Sequence, residues 1–263
     1  MMRRRLFTLL SNLFFVWILV HYAMGGLVNG WWLLTHNGLL PWVMLGLVLF
    51  LIFYRSDAAT DLPLFAAGWL LGYWGEWWGT TRGVWTYWNG ATPPDYLPPL
   101  WGIGLITVYR LSRILLDRLP PEFSRAGKWM AAALFTLPLL AALAFSLPLL
   151  QQVDWRGRLD GHFFAGIITA ALLIAWRFDL RETLALYLCG MLLGGLYETL
   201  GTTSGEWRYI TAEMPPLWIA PLWGFAAAAM TRLSRLITTA LVSGLTRLAP
   251  RQNVLYMDDR AQG

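Results

Sequence analysis

The sequence predicts an all-α integral membrane protein in which eight transmembrane helices form two parallel four-helix repeats. Of the 263 residues, 57% are apolar and only 13% are charged, and the mean hydropathy is +0.50. A soluble domain carries roughly 25% charge, so a disordered chain, a disulfide scaffold and an ordinary cytosolic enzyme are excluded. The apolar residues gather into runs of about the length a bilayer requires. The chain also matches itself: shifted by 122 residues, 54–113 aligns without a gap on 176–235, with 25 identities in 60 positions.

Each span follows from its apolar run. The first, Phe7–Leu27, comes after Arg3, Arg4 and Arg5. It is long for a signal peptide and no small-residue cleavage site follows, so it reads as a retained helix. Leu40–Tyr54, Leu62–Gly79 and Leu97–Leu116 complete the first set of four. Met130–Leu149, Phe163–Trp176, Leu184–Gly201 and Pro216–Leu236 make the second. The second and sixth runs are short of the ~20 residues that span a bilayer, so their ends are the least defined. The expected units are residues 1–122, residues 123–240 and a polar cytoplasmic tail, 241–263. Each repeat holds an even number of helices, so the two run the same way through the membrane about an axis near its normal.

Basic residues orient the chain. With eight spans, sixteen Lys and Arg fall on one side, among them Arg3–Arg5, Arg113, Arg118, Lys128 and Arg235. Arg82, Arg156, Arg158 and Arg208 fall on the other. The positive-inside rule then places both termini in the cytoplasm, with the protein in a bacterial-type inner (plasma) membrane. Thirteen of the seventeen Trp lie toward the outer face, which suits an aromatic belt or an aromatic-lined outer cavity.

Glu76 and Glu198 are the residues that composition least explains. Each occupies the same position in its repeat, within an apolar helix where a central charge costs roughly 2.5–3.5 kcal/mol. Gly68, Gly72 and Glu76 are spaced by four, as are Gly190, Gly194 and Glu198, so each Glu shares a face with a GxxxG step. That face suits close helix packing, and the third and seventh helices are expected to bring the two carboxyls together. Two close carboxyls in a dry site do not both ionise cheaply, which yields an acid beside a base. The same residues equally suit a staple, each carboxyl accepting hydrogen bonds from the Thr, Tyr or Trp of its own loop.

The loop after each Glu reads Gly-Thr-Thr-x-Gly-x-Trp-x-Tyr, a helix end, a glycine turn and an extended stretch whose Trp and Tyr point the same way. Such a loop is expected to fold back over the carboxyl. Candidate substrate contacts are Trp85, Tyr87, Trp101 and Thr80 in the first half and Trp207, Tyr209, Trp223 and Thr202 in the second. Asp57 and Asp179 are placed as helix N-caps, with Arg113 and Arg235 as their possible partners. His21, His36 and His162 share the outer side with Asp154 and Asp160 but lack metal-ligand spacing, so no metal is expected. No nucleotide-binding or haem-attachment motif is present, no other cofactor is expected, and no nucleic-acid partner is indicated. Cys189, the single cysteine, lies in an apolar run and reads as a buried small hydrophobe.

The run Glu76-Trp-Trp-Gly79-Thr-Thr-Arg-Gly83-Val-Trp85-Thr-Tyr87, followed by Pro98-Pro99-Leu100-Trp101, resembles the signature of membrane carotenoid-biosynthesis proteins of the bisanhydrobacterioruberin hydratase type. The second unit repeats it from Glu198 to Trp223. The resemblance implies an enzyme that adds water to an isoprenoid double bond or cyclises it, with a membrane lipid or isoprenoid as substrate. Glu76 and Glu198 would then be acid and partner base. The other reading is a small proton-coupled transporter, a lipid-handling protein or a membrane assembly factor without catalysis.

Overall fold

A computed structural model describes residues 2–25, 38–152, 161–176 and 178–248. They contain helices α1 (Met2–Gly25), α2 (Leu40–Phe53), α3 (Ala58–Thr81), α4 (Leu97–Leu116), α5 (Arg125–Gln152), α6 (Gly161–Ala175), α7 (Leu180–Thr203) and α8 (Ile219–Leu248). Two short strands, β1 (Trp85–Tyr87) and β2 (Trp207–Tyr209), follow α3 and α7. Helices α4, α7, most of α1 and α8 as far as Ser243 are long and apolar enough to cross a membrane, and α2 and α6 are apolar but shorter.

Each expected apolar run coincides closely with one of these helices over the described residues, and several of the helices extend further. α1 takes in Arg3–Arg5, and α8 continues past the expected boundary at 240 to Leu248. Hydropathy marks where lipid is tolerated, whereas backbone hydrogen bonding continues through flanking Arg, Lys and Gln, which are good helix formers. Most of the expected tail lies outside the described residues, as do His36, Asp154 and Asp160.

Four helices make the centre. α3 packs on α4 and α7 on α8, while α3 also meets α8 and α4 meets α7. α4 and α8 touch each other; α1 and α2 flank the first pair, α5 and α6 the second. This corrects the expectation that the glycine faces of the third and seventh helices meet. A Cβ on Gly68 would lie 2.7 Å from the Trp101 carbonyl oxygen, and one on Gly72 2.4 Å from the Trp101 ring. Gly190 and Gly194 stand in the same relation to Trp223. The GxxxG steps therefore seat the tryptophan of the next helix, and they act within each half.

The opposite end of the core is held by buried ion pairs. Arg110 bonds Asp61. Arg232 donates to Glu182 at 2.6 Å and to the Thr183 hydroxyl at 3.3 Å, and Arg235 bonds Glu182 as well. Arg235 thus pairs with Glu182 and not with Asp179. Asp179 does cap α7, accepting from the Glu182 amide at 2.9 Å. Asp57 makes no such cap; its carboxylate takes Arg4 at 3.1 Å and the Thr60 hydroxyl at 3.1 Å.

Candidate functional site

The two loops fold inward because glycine allows it at two different places. Gly83 and Gly205 take φ of +67° and +79°, the left-handed turn that reverses the chain after α3 and α7. Gly79 and Gly201 remain inside their helices and serve another purpose. A Cβ on Gly79 would sit 2.0 Å from the Trp85 indole, and one on Gly201 1.8 Å from Trp207. Each indole therefore lies flush on its own helix.

The strands then pair across the halves. β1 and β2 run antiparallel with Trp85 opposite Tyr209, Thr86 opposite Arg208 and Tyr87 opposite Trp207. The Trp88 amide donates to the Glu206 carbonyl at 3.0 Å, and the Ile210 amide to the Val84 carbonyl at 2.9 Å. That ladder leaves Trp85/Tyr209 and Tyr87/Trp207 as the non-hydrogen-bonded pairs, whose side chains approach most closely. Their ring centroids are 5.8 Å apart in both cases.

Beneath this ribbon each glutamate takes three donors. Glu76 Oε2 accepts from Trp85 Nε1 at 2.9 Å and from the Tyr87 hydroxyl at 2.8 Å, while Oε1 accepts from Trp101 Nε1 at 2.9 Å. Glu198 repeats the set with Trp207 at 2.9 Å, Tyr209 at 2.8 Å and Trp223 at 2.8 Å. The two glutamates are only 7% and 6% exposed. An ionised carboxylate so deeply buried is costly unless hydrogen bonds replace its water, and three donors do so. Trp101 and Trp223 stack on each other, centroids 3.9 Å apart and planes within 9°, so a line of contacts runs from one carboxyl through two indoles to the other.

The three donors are not equivalent. Indole nitrogen can only donate, whereas a phenol both donates and accepts. Burial, reinforced by the neighbouring Glu76, holds the Tyr87 hydroxyl well above the ordinary phenol range; burial and Glu198 do the same for Tyr209. Both phenols therefore keep their protons.

An apolar cavity of about 370 Å³ opens among these residues, within the ~300–1,000 Å³ typical of small-molecule sites. Its wall includes both glutamates and the expected Trp85, Tyr87, Trp101, Trp207, Tyr209 and Trp223. Thr80 and Thr202 are absent from it. Their hydroxyls donate at 2.7 Å to the Glu76 and Glu198 main-chain carbonyls, a bond back along their own helices. Trp101 and Trp223 also cover one face of each other, so each offers the cavity less aromatic surface than an isolated ring.

Sequence reasoning missed Glu206, 2% exposed on the cavity wall, and Trp218 and Phe163 beside it. Glu206 aligns with Val84 and Trp218 with Tyr96, so a search for positions shared between the halves passes over them. The signal available was a carboxylate set directly between Gly205 and Trp207, where the first unit carries Val84. Cys189 is buried, as read. His162 packs against the Trp77 ring at 6.0 Å and His21 stacks on Trp17 at 5.1 Å. Among the described residues no three His, Cys, Asp or Glu side chains gather as metal ligands would.

Set against known proteins, the chain matches no protein-family model, no curated protein and no solved structure.

Proposed function

We propose that this protein is a cofactor-free enzyme of the membrane that protonates an isoprenoid or carotenoid double bond, leading to hydration or cyclisation. The observation that carries the proposal is the apolar, aromatic cavity walled by two buried, equivalent Glu–Tyr pairs. In the protonated carboxyl, the tyrosine alone among the three partners is able to accept the acid's proton. The phenol then passes its own proton to the alkene. The Glu O–H bond breaks as the Tyr O–H bond is remade, a C–H bond forms, and the π bond is consumed, leaving a tertiary cation. Indole faces stabilise such a cation by ~2 kcal/mol or more when desolvated. Water then adds and yields a proton to the partner carboxylate, or an internal alkene attacks and a neighbouring C–H gives up the proton. Both routes return the site to its starting charge.

The membrane arrangement proposed with it is eight spans in two parallel repeats, both termini cytoplasmic, in a bacterial-type inner membrane. The matched hydrogen bonds of the two glutamates, the symmetric pairing of β1 with β2 and the basic residues of the connecting segments support this. The resemblance to the bisanhydrobacterioruberin hydratase type supports the substrate class.

The completeness of each three-donor set favours one other reading, in which the carboxyls only staple the loops and the cavity holds a lipid tail in a transport, lipid-handling or assembly protein. Mass spectrometry of lipids and pigments from a deletion strain separates the two. An enzyme's loss accumulates a defined isoprenoid precursor that wild-type complementation removes. Tyr87→Phe, Tyr209→Phe, Glu76→Gln and Glu198→Gln should each leave that precursor in place, with the tyrosine variants present in the membrane at normal amount. An unchanged lipid profile in the deletion strain would reject the enzyme.

A further inference from the structure

We infer that the molecule occupying the cavity carries one neutral oxygen, and that Trp218 binds it. The inference rests on the isoprenoid reading above and narrows it to an oxygen-bearing isoprenoid, such as an alcohol, held with its oxygen at the Glu198 side. Trp218 is 9% exposed and forms part of the cavity wall, and its Nε1 has no hydrogen-bond partner among the described residues. Trp85, Trp101, Trp207 and Trp223, which also line the cavity, spend their N–H on Glu76 or Glu198. A buried donor left without an acceptor is costly, and a native structure normally supplies one.

The surroundings define what kind of acceptor fits. Glu76 and Glu198 both line the cavity, so a carboxylate or phosphate headgroup would be repelled. A cation offers the N–H nothing to bond. A neutral hydroxyl, ether or carbonyl oxygen at the end of an apolar chain satisfies both conditions. The position also sets a direction. The Trp218 ring lies edge-on to Tyr209, centroids 5.7 Å apart, and Tyr209 donates to Glu198. Tyr96 occupies the matching place in the first half, and its hydroxyl too lacks a partner among the described residues, but it does not line the cavity. The oxygen therefore has one end of the cavity to bind, although the carboxyls are duplicated.

The test is equilibrium binding of radiolabelled farnesol and farnesene to the full chain in lipid nanodiscs, with empty nanodiscs subtracted. Farnesol should bind roughly five- to tenfold more tightly, the worth of one net hydrogen bond. Trp218→Phe should abolish that preference, so that farnesol and farnesene bind the variant equally. Farnesyl methyl ether, which accepts but cannot donate, should bind the wild-type protein as farnesol does, and this arm holds whether or not the variant folds. Equal binding of alcohol and hydrocarbon to the wild type, an ether that binds no better than farnesene, or a preference that survives in Trp218→Phe would each overturn the inference while leaving the isoprenoid reading intact. Binding of none of the three probes would instead sink the isoprenoid reading itself.

Discussion

Glycine-to-ring contacts decide how Glu76 and Glu198 are held. Gly79 and Gly201 lie under indoles so closely that a single methyl group has no room: the added Cβ falls 2.0 Å or less from ring carbon. Trp85 must move if Gly79 becomes alanine, and with it goes one of three donors to Glu76. Overpacking of this kind costs ~1–3 kcal/mol, and the lost hydrogen bond adds to it. Gly79→Ala and Gly201→Ala should therefore lower the unfolding midpoint of the detergent-solubilised protein. Gly83→Ala should do so for a different reason, its left-handed backbone. By contrast Gly75→Ala meets no atom within 4 Å and, being inside a helix, should not lower the midpoint. A Gly79→Ala protein as stable as wild type would show that the indole does not rest there. The carboxyls, their Trp and Tyr partners and the turn glycines were legible in the sequence because both halves keep them. Thr80 and Thr202 were kept as well, but for a bond to their own helix, and shared position alone does not separate the two roles.

Helix pairs show the converse: residues that do the same work from different positions are hidden. Arg110 and Arg232 align, yet their acids do not; Asp61 aligns with Thr183, and Glu182 with Thr60. The longer glutamate reaches the same arginine from one residue earlier, and Thr183 fills the site its neighbour left. Aligning the halves therefore matches the arginines but not their partners. Helix ends escaped notice for a related reason, since apolarity stops before helical hydrogen bonding does. The buried pair should behave as a unit. Asp61→Ala strands Arg110, which is 5% exposed, and should cost ~3–5 kcal/mol. Asp61→Leu combined with Arg110→Met removes both charges and should recover most of that loss. Thermal denaturation of the two variants decides: a double variant as unstable as the single one would mean that the pair does not act through mutual compensation.

Across the whole molecule, apolar side chains face outward from the flanking helices, among them Phe7, Leu10, Leu13, Trp17, Phe50 and Leu172, each more than about half exposed. A surface of that kind suits a lipid environment, in keeping with the four apolar candidate spans. The polar groups are gathered at two levels, the ion pairs at one end of the core and the glutamates beneath the ribbon at the other. The ribbon and the stacked Trp101 and Trp223 join the halves, so neither half encloses the cavity alone. If the ribbon caps the outer face, cysteines replacing the exposed Thr86 and Arg208 should react with a membrane-impermeant thiol reagent on intact cells. A cysteine at Arg118 should react only after the cells are opened. The reverse pattern would overturn the orientation drawn from the basic residues.

The proton transfer itself is open to direct observation. Membranes of the deletion strain, holding the accumulated precursor, can be mixed in D₂O with nanodiscs containing the purified protein, and the product carbon skeleton analysed by mass spectrometry. Protonation of an alkene installs one non-exchangeable deuterium on carbon, whether water or an internal alkene captures the cation. Each tyrosine is the one donor that can relay a proton from its glutamate, so Tyr87→Phe and Tyr209→Phe should each slow this incorporation by at least tenfold, with loss of only ~1 kcal/mol of stability. A product that forms in D₂O without deuterium on carbon, or at an undiminished rate in both variants, would contradict the Glu–Tyr proton relay.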